Sequence, residues 1–251
     1  ERYLAVAQKG ADFLWTRLYQ EGRLLRTFKE GVAKLNGYLD DYTFTVDALL
    51  DLYEATSDAT YLDRARGLTT RLIDQFWDDA QGGFFFTAKD HEPLIARCKS
   101  AADQSIPSGN AVAAQSLLRL FYLTGEAPYF DKAEKTLQFF SEAMEENVFA
   151  TGNMIAVADF YLRKPKEIVV IGDPKAPETE RLLAGIQQLY LPNKVLFRVD
   201  PGQPQKTPLP DPVKGKKMID GKPTVYICHH FTCSQPLTDW EAIQAQLIAK
   251  G

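Results

Sequence analysis

Apolar residues between Leu39 and Tyr53 fall on nearly every face of a helical projection: Leu39, Tyr42, Phe44, Val46, Leu49, Leu50, Leu52 and Tyr53. That is the pattern of a helix enclosed by neighbours. The stretch from Thr60 to Trp77 differs, with Tyr61, Ala65, Leu68, Leu72 and Phe76 on one stripe and Arg64, Arg66, Arg71 and Asp74 on the rest. An inner helix is therefore followed by an outer helix wetted on one side, and Asp58 is placed to cap the outer one. The unit recurs: Leu49-Leu50-Asp51-Leu52-Tyr53 lies over Leu117-Leu118-Arg119-Leu120-Phe121, and Tyr61-Leu62-Asp63-Arg64-Ala65 over Tyr129-Phe130-Asp131-Lys132-Ala133. Pro128 sits where a first helical turn tolerates a missing N–H.

The spacing predicts inner helices near 39–55, 108–123 and 150–163, and outer helices near 2–20, 59–77 and 127–146. Glycine-marked, aromatic or β-prone segments, Glu21-Gly22-Arg23-Leu24-Leu25-Arg26 and Gln81-Gly82-Gly83-Phe84-Phe85-Phe86-Thr87, predict short hairpins. Inner helix, outer helix and decorated loop make up the unit of an α/α toroid, whose inner-helix ends frame a cleft. Too few pairs are present to close a ring, so the open edge is expected to be apolar.

After Pro165 the period changes. Glu167-Ile168-Val169-Val170-Ile171 is a continuous apolar run suited to a strand covered on both faces. A helix near 178–190 and a strand over 194–199 complete a βαβ-type unit. Prolines crowd 201–223, a third strand falls at 224–228, and the spacing of Thr238 and Glu241 predicts a capping box for a last helix. The expected fold is thus mainly α, a partial α/α toroid over 1–164 followed by a small α/β unit over 165–251.

Charge and composition narrow the function classes. The 251 residues carry 29 basic and 33 acidic side chains, a net charge of −4, which gives no electrostatic footprint for nucleic acid or an anionic membrane. No apolar run approaches the ~18 residues of a membrane span. Glu1-Arg2-Tyr3-Leu4 already reads as helix body, so the chain is expected to begin inside a longer fold. Three cysteines, Cys98, Cys228 and Cys233, are not a disulfide scaffold and favour a reducing, cytoplasmic setting.

Several separated phrases carry a family resemblance: Leu39-Asp40-Asp41-Tyr42, Gly82-Gly83-Phe84-Phe85-Phe86-Thr87, Pro107-Ser108-Gly109-Asn110, Leu191-Pro192-Asn193-Lys194, and Cys228 with Phe231-Thr232-Cys233. In this order they resemble the C-terminal half of the thioredoxin-domain-containing family that includes spermatogenesis-associated protein 20. The resemblance implies a thioredoxin-like domain and further toroid hairpins in an N-terminal half, with a toroid similar to six-hairpin glycosidases and N-acylglucosamine 2-epimerases. The redox Cys-x-x-Cys of such a domain has no counterpart in these residues.

Candidate site residues follow from the cleft. Glycoside hydrolysis needs two carboxyl groups with different protonation states. Asp40 and Asp41 open an inner helix, Asp103 lies near the next, and His91 is on the loop after the aromatic segment; these four are the catalytic candidates. Asp40 is equally suited to cap its helix, leaving Asp41 for the cleft. Epimerase histidines lie on toroid helices, whereas His91 lies on a loop. Tyr38, Tyr42, Phe85, Ser108, Asn110 and Asn153 are the substrate-binding candidates. Cys228-His229-His230-Phe231-Thr232-Cys233 holds four ligand-type residues without the second segment that zinc sites usually draw on. It reads as a strand end and turn with small buried cysteines, ahead of metal ligation or a disulfide. No cofactor or metal site is expected. Two function classes remain: a carbohydrate-active toroid, with a saccharide ligand, or a non-catalytic platform supporting the redox domain. An apolar open edge would also suit a homodimer.

Overall fold

The computed structural model of the chain describes residues 2–92, 95–202, 212–229 and 232–249. It is mainly helical, with helical hairpins and small sheets. The chain divides into two compact units, Glu1–Phe121 with Glu126–Asp159, and Tyr122–Gly125 with Phe160–Gly251.

In the first unit, α1 (Arg2–Phe13) runs into a π-type turn (Leu14–Leu18), followed by an antiparallel meander of β1 (Tyr19–Gln20), β2 (Arg23–Lys29) and β3 (Val32–Asn36). Both connections use a Glu-Gly pair in left-handed conformation, Glu21-Gly22 at φ 51° and 75° and Glu30-Gly31 at φ 52° and 80°. Two left-handed residues in succession twist as antiparallel strands do. The hairpin expected at Gly22 is present, and Glu30-Gly31 adds a second. At 81–87 the expected hairpin shrinks to a bridge between Trp77 and Phe84. There Gly82 and Gly83 both take positive φ, and Gly82 passes so close to the Lys135 carbonyl that an added Cβ would lie 3.0 Å away.

Next, α2 (Leu39–Thr56) packs against α3 (Ala59–Phe76). Asp58 caps α3 as expected, its Oδ1 accepting from Thr60 N at 2.9 Å. The layers follow the hydrophobic pattern. α3 buries the stripe of Tyr61, Ala65, Leu68, Leu72 and Phe76. On α4 (Gly109–Thr124), burial extends nearly all round, including Ala111, Ala113, Ala114, Leu117, Leu118 and Leu120. The expected outer helix over 127–146 is broken into α5 (Ala127–Phe139) and α6 (Ser141–Glu146) at Phe140. Phe140 turns inward there, buried with its ring edge-on to Phe139. α7 (Gly152–Arg163) follows.

A charged group lies between α2 and α4. Arg119 of α4 is buried and meets Asp47, Asp51 and Glu54 of α2 at 2.7, 2.8 and 2.9 Å. The three acids recur at helical spacing on one face, so α2 carries a carboxylate stripe for a single guanidinium to join.

The second unit is a four-stranded sheet in the order β5-β4-β6-β7. β4 (Lys166–Ile171) pairs in parallel with β5 (Lys194–Val199) through α8 (Pro177–Gln188), giving the expected βαβ unit. β6 (Thr224–His229) is antiparallel to β4, and β7 (Thr232–Cys233) is antiparallel to β6. α8 and α9 (Trp240–Ile248) supply Leu182, Leu183, Ile186, Ile243 and Leu247 to a core with Ile168, Val170, Leu196, Val225 and Ile227. Gly185 is where the Trp240 ring lies on α8, and an added Cβ would stand 2.5 Å from it. The last helix is capped one residue later than expected, by Asp239, whose Oδ2 accepts from Ala242 N at 3.0 Å. At its other end Lys166 Nζ donates to the Leu247 and Ala249 carbonyls at 2.6 and 2.9 Å, a cation where the helix dipole is negative. Residues 203–211 of the proline-rich connection lie outside the described residues.

The cysteine expectation is corrected. Cys228 and Cys233 are opposite each other in the β6–β7 register and are bonded as a disulfide. Five-residue spacing along the chain hides a pairing that the antiparallel turn makes direct. His230 and Phe231, two members of the expected ligand-rich turn, lie outside the described residues. No cluster of metal-ligand side chains occurs among the described residues.

Candidate functional site

The starts of α2, α4 and α7 meet in the first unit, because Gly109 of α4 abuts Leu39 and Asp40 of α2, and Asp103 joins α4 to α7. Gly37 makes the approach to α2 possible. Its N donates to the Leu24 carbonyl at 2.8 Å, and a Cβ there would lie 2.9 Å from that oxygen. The first N–H of α2, on Leu39, finds the Phe86 carbonyl at 3.0 Å.

Asp41, expected to face the cleft, is instead the capping residue. Its Oδ2 accepts from Tyr38 N at 2.8 Å and lies 3.5 Å from Arg26 Nη1. Asp40, expected to cap, is the half-buried acid whose carboxyl accepts no hydrogen bond from the described residues. Burial holds it above the ordinary carboxylate range, Asp41 adds to the effect, and Arg26 opposes it. The exchange of roles follows from spacing: the third helical residue reaches back to the N-cap amide, and that residue is Asp41.

Around these acids stands an aromatic shelf. The Tyr38 ring stacks on Phe86 with centroids 4.9 Å apart and planes 9° apart, and the Arg26 guanidinium lies 4.8 Å over Tyr38. The His91 ring lies 5.0 Å from that of Tyr38, its Nε2 3.3 Å from the Gly37 carbonyl. A carbonyl only accepts, so that contact requires the proton on Nε2. The neighbouring Asp90 pins the loop to Arg23 and Arg71 at 2.6 and 2.8 Å. Phe85 turns away from the shelf: Arg97 lies 4.2 Å over its ring. Tyr42 is buried, and its hydroxyl accepts from Leu24 N at 2.9 Å, which fastens the meander to α2.

The second cluster is taken up by backbone. Asp103 Oδ1 accepts from Ser108 N at 2.9 Å and Oδ2 from Asn153 N at 2.8 Å, so one carboxylate serves the starts of two helices. Ser108 Oγ accepts from Ala111 N at 3.1 Å. Asn110, 1% exposed, holds the aromatic segment by accepting from Phe84 N at 2.7 Å and donating to the Phe84 and Ser100 carbonyls at 2.9 and 3.0 Å. Asn153 enters through its backbone N–H. The arrangement therefore offers an aromatic shelf beside the Arg26 guanidinium and the half-buried Asp40 carboxyl, with the carboxylates of Asp41 and Asp103 engaged by N–H groups.

Sequence reasoning named Tyr38 and His91 but missed Arg26 and Phe86. Alternation would have put Phe84 and Phe86 on one face; instead exposure rises along the run, from 0% at Phe84 to 41% at Phe86, because the segment forms only the isolated Trp77–Phe84 bridge and leaves strand geometry after it.

These features define a mainly helical protein built of hairpins that gather helix starts around an aromatic shelf. No family model matches the chain. It is similar to spermatogenesis-associated protein 20 of Mus musculus, 36% identical over 253 residues, covering 95% of this chain and 32% of that protein. The Homo sapiens protein of the same name is 35% identical over the same length, and an uncharacterized Caenorhabditis elegans protein is 27% identical over 245 residues, 33% of its length. The chain spans about a third of the length of these curated relatives. No helix among the described residues is long and apolar enough to cross a membrane.

Proposed function

We propose that the chain is a non-catalytic interaction platform forming the C-terminal region of a larger, cytoplasmic protein similar to spermatogenesis-associated protein 20. In this reading its hairpins are part of an α/α toroid that supports a thioredoxin-like domain. The observation that carries it is the use of Asp41 and Asp103 as helix caps, so that of the three candidate aspartates at the helix starts only Asp40 keeps a carboxyl not engaged by a backbone N–H. Acid–base hydrolysis of a glycosidic bond needs two.

An open apolar groove supports the remainder of this reading. Tyr3, Leu4, Ala7 and Trp15 line it with Leu49 and Leu52 of α2, enclosing about 520 Å³. No residue of α1 is buried, and Tyr3 is 89% exposed. Such a face suits the preceding part of the full-length protein, or a second copy of this chain in its absence.

A second reading, saccharide binding, is favoured by the Tyr38–Phe86 shelf beside Asp40 and Arg26. Rings stack on sugar faces, and a half-buried carboxyl holds hydroxyl groups. Thermal shift of the chain against a panel of mono- and oligosaccharides separates the two. The platform reading expects no shift with any of them. A rise that disappears in Tyr38→Ala and Asp40→Asn would replace it with the carbohydrate reading.

A further inference from the structure

The two sulfurs of the Cys228–Cys233 disulfide have opposite surroundings. Cys233 is part-exposed on β7, the edge strand, and Lys216 Nζ lies 3.1 Å from its Sγ. The lysine is held in place: its ammonium lies 4.9 Å from the Tyr226 ring centroid, and the Tyr226 hydroxyl donates to the Lys217 carbonyl at 2.8 Å. Cys228 is fully buried on β6 and faces Glu167 of β4, itself 1% exposed, in the antiparallel register. The Glu167 charge is felt by its surroundings, since the Tyr122 phenol is pushed up to about 12 by burial first and by Glu167 second. Burial holds Lys216 below the usual lysine range, and Glu167 opposes that.

We propose that Cys228 and Cys233 are a redox-active dithiol site that exchanges with low-molecular-weight thiols and disulfides of the glutathione class, Cys233 being the attacking sulfur. An ammonium beside one sulfur stabilises its thiolate, while burial beside a carboxylate keeps the other cysteine protonated until it is needed. In the oxidising direction, the Cys233 thiolate attacks one sulfur of a disulfide RSSR. A Cys233–SR bond forms, the RS–SR bond breaks, and RS⁻ leaves. Cys228 then passes its proton to Glu167, and its thiolate attacks Cys233 Sγ, expelling the second RS⁻. Two cysteine sulfurs lose two electrons and RSSR gains them; one RS⁻ takes up the proton that Cys233 gave to solvent on ionising, the other the proton that Glu167 releases, leaving two RSH and an unchanged carboxylate. The site stands apart from the helix-start shelf and does not depend on its function.

The test equilibrates the 251-residue chain with a series of reduced-to-oxidised glutathione ratios at neutral pH, traps free thiols by alkylation, and maps them by mass spectrometry. Cys228 and Cys233 should convert together at a ratio inside the series, with exposed Cys98 as the reference free thiol. A bond that survives reduced glutathione alone, or that forms at no ratio, overturns the proposal. In the reduced chain, Lys216→Met should slow alkylation of Cys233 at neutral pH about tenfold, the equivalent of one pKa unit, while Lys216→Arg stays within about twofold. An unchanged Lys216→Met rate overturns it too. Should that variant not fold, the pH profile of Cys233 alkylation in the parent chain decides: a midpoint below about 8.5 supports the site and one at or above it does not.

Discussion

Asp103 carries more of the helix-start geometry than any other side chain there, and its removal tests the capping argument directly. In Asp103→Ala, Ser108 N and Asn153 N lose acceptors now at 2.9 and 2.8 Å. Each lost cap costs about 1 kcal/mol, and each helix start loses a further ~0.5 kcal/mol of interaction between its dipole and the carboxylate. The sum is about 3 kcal/mol, which in a chain of this size lowers the melting midpoint by about 9 °C. Asp103→Asn keeps one acceptor oxygen but aims an amide N–H at the other backbone donor, so it should lose roughly half as much or slightly more. Scanning calorimetry gives the midpoints, and hydrogen exchange at Ser108 and Asn153 should quicken before the rest of α4 and α7. A midpoint for Asp103→Ala within about 2 °C of the parent would refute the reasoning, because the carboxylate would then be available for chemistry.

Other substitutions probe the same structure from different sides. Arg119→Leu leaves Asp47, Asp51 and Glu54 side by side on α2 without their cation; only Glu54 is well buried, so urea unfolding should show a loss at the low end of the about 3–5 kcal/mol of a broken buried pair. Gly185→Ala drives a Cβ into the Trp240 ring at 2.5 Å; overpacking of this kind costs about 1–3 kcal/mol, and tryptophan fluorescence should report the displaced indole. Asp40 is held above its ordinary value of 3.8 by burial first. An acid raised in the folded state stabilises folding below the unfolded value and loses that contribution as pH rises through the folded one. Asp40→Asn should accordingly raise the thermal midpoint at neutral pH, with the gain vanishing below about pH 4; an equal gain at every pH would remove Asp40 as its cause.

Local spacing was enough to read the long helices of the first hairpin and the central strand, though not the early end of α1 at Phe13, the β3 strand or the break at Phe140. The all-round apolar pattern of Leu39 to Tyr53 and the single stripe of Tyr61 to Phe76 separate an enclosed helix from a half-wetted one, since burial demands apolar atoms wherever a neighbour stands. The continuous run Ile168-Val169-Val170-Ile171 likewise announces a covered strand, and Asp58 announces its cap. Those signals act within a few residues, where bond geometry dictates which side chains share a face. Only the tertiary structure decided what each candidate group meets. Asp103 reaches Asn153 across 50 residues, Gly109 must pass Asp40 before that acid becomes buried, and Cys228 finds Cys233 because β7 folds back on β6. A carboxylate's role as cap, ion-pair partner or free acid depends on which donors the fold brings within about 3 Å, and periodicity along one segment holds no information about the distance to another.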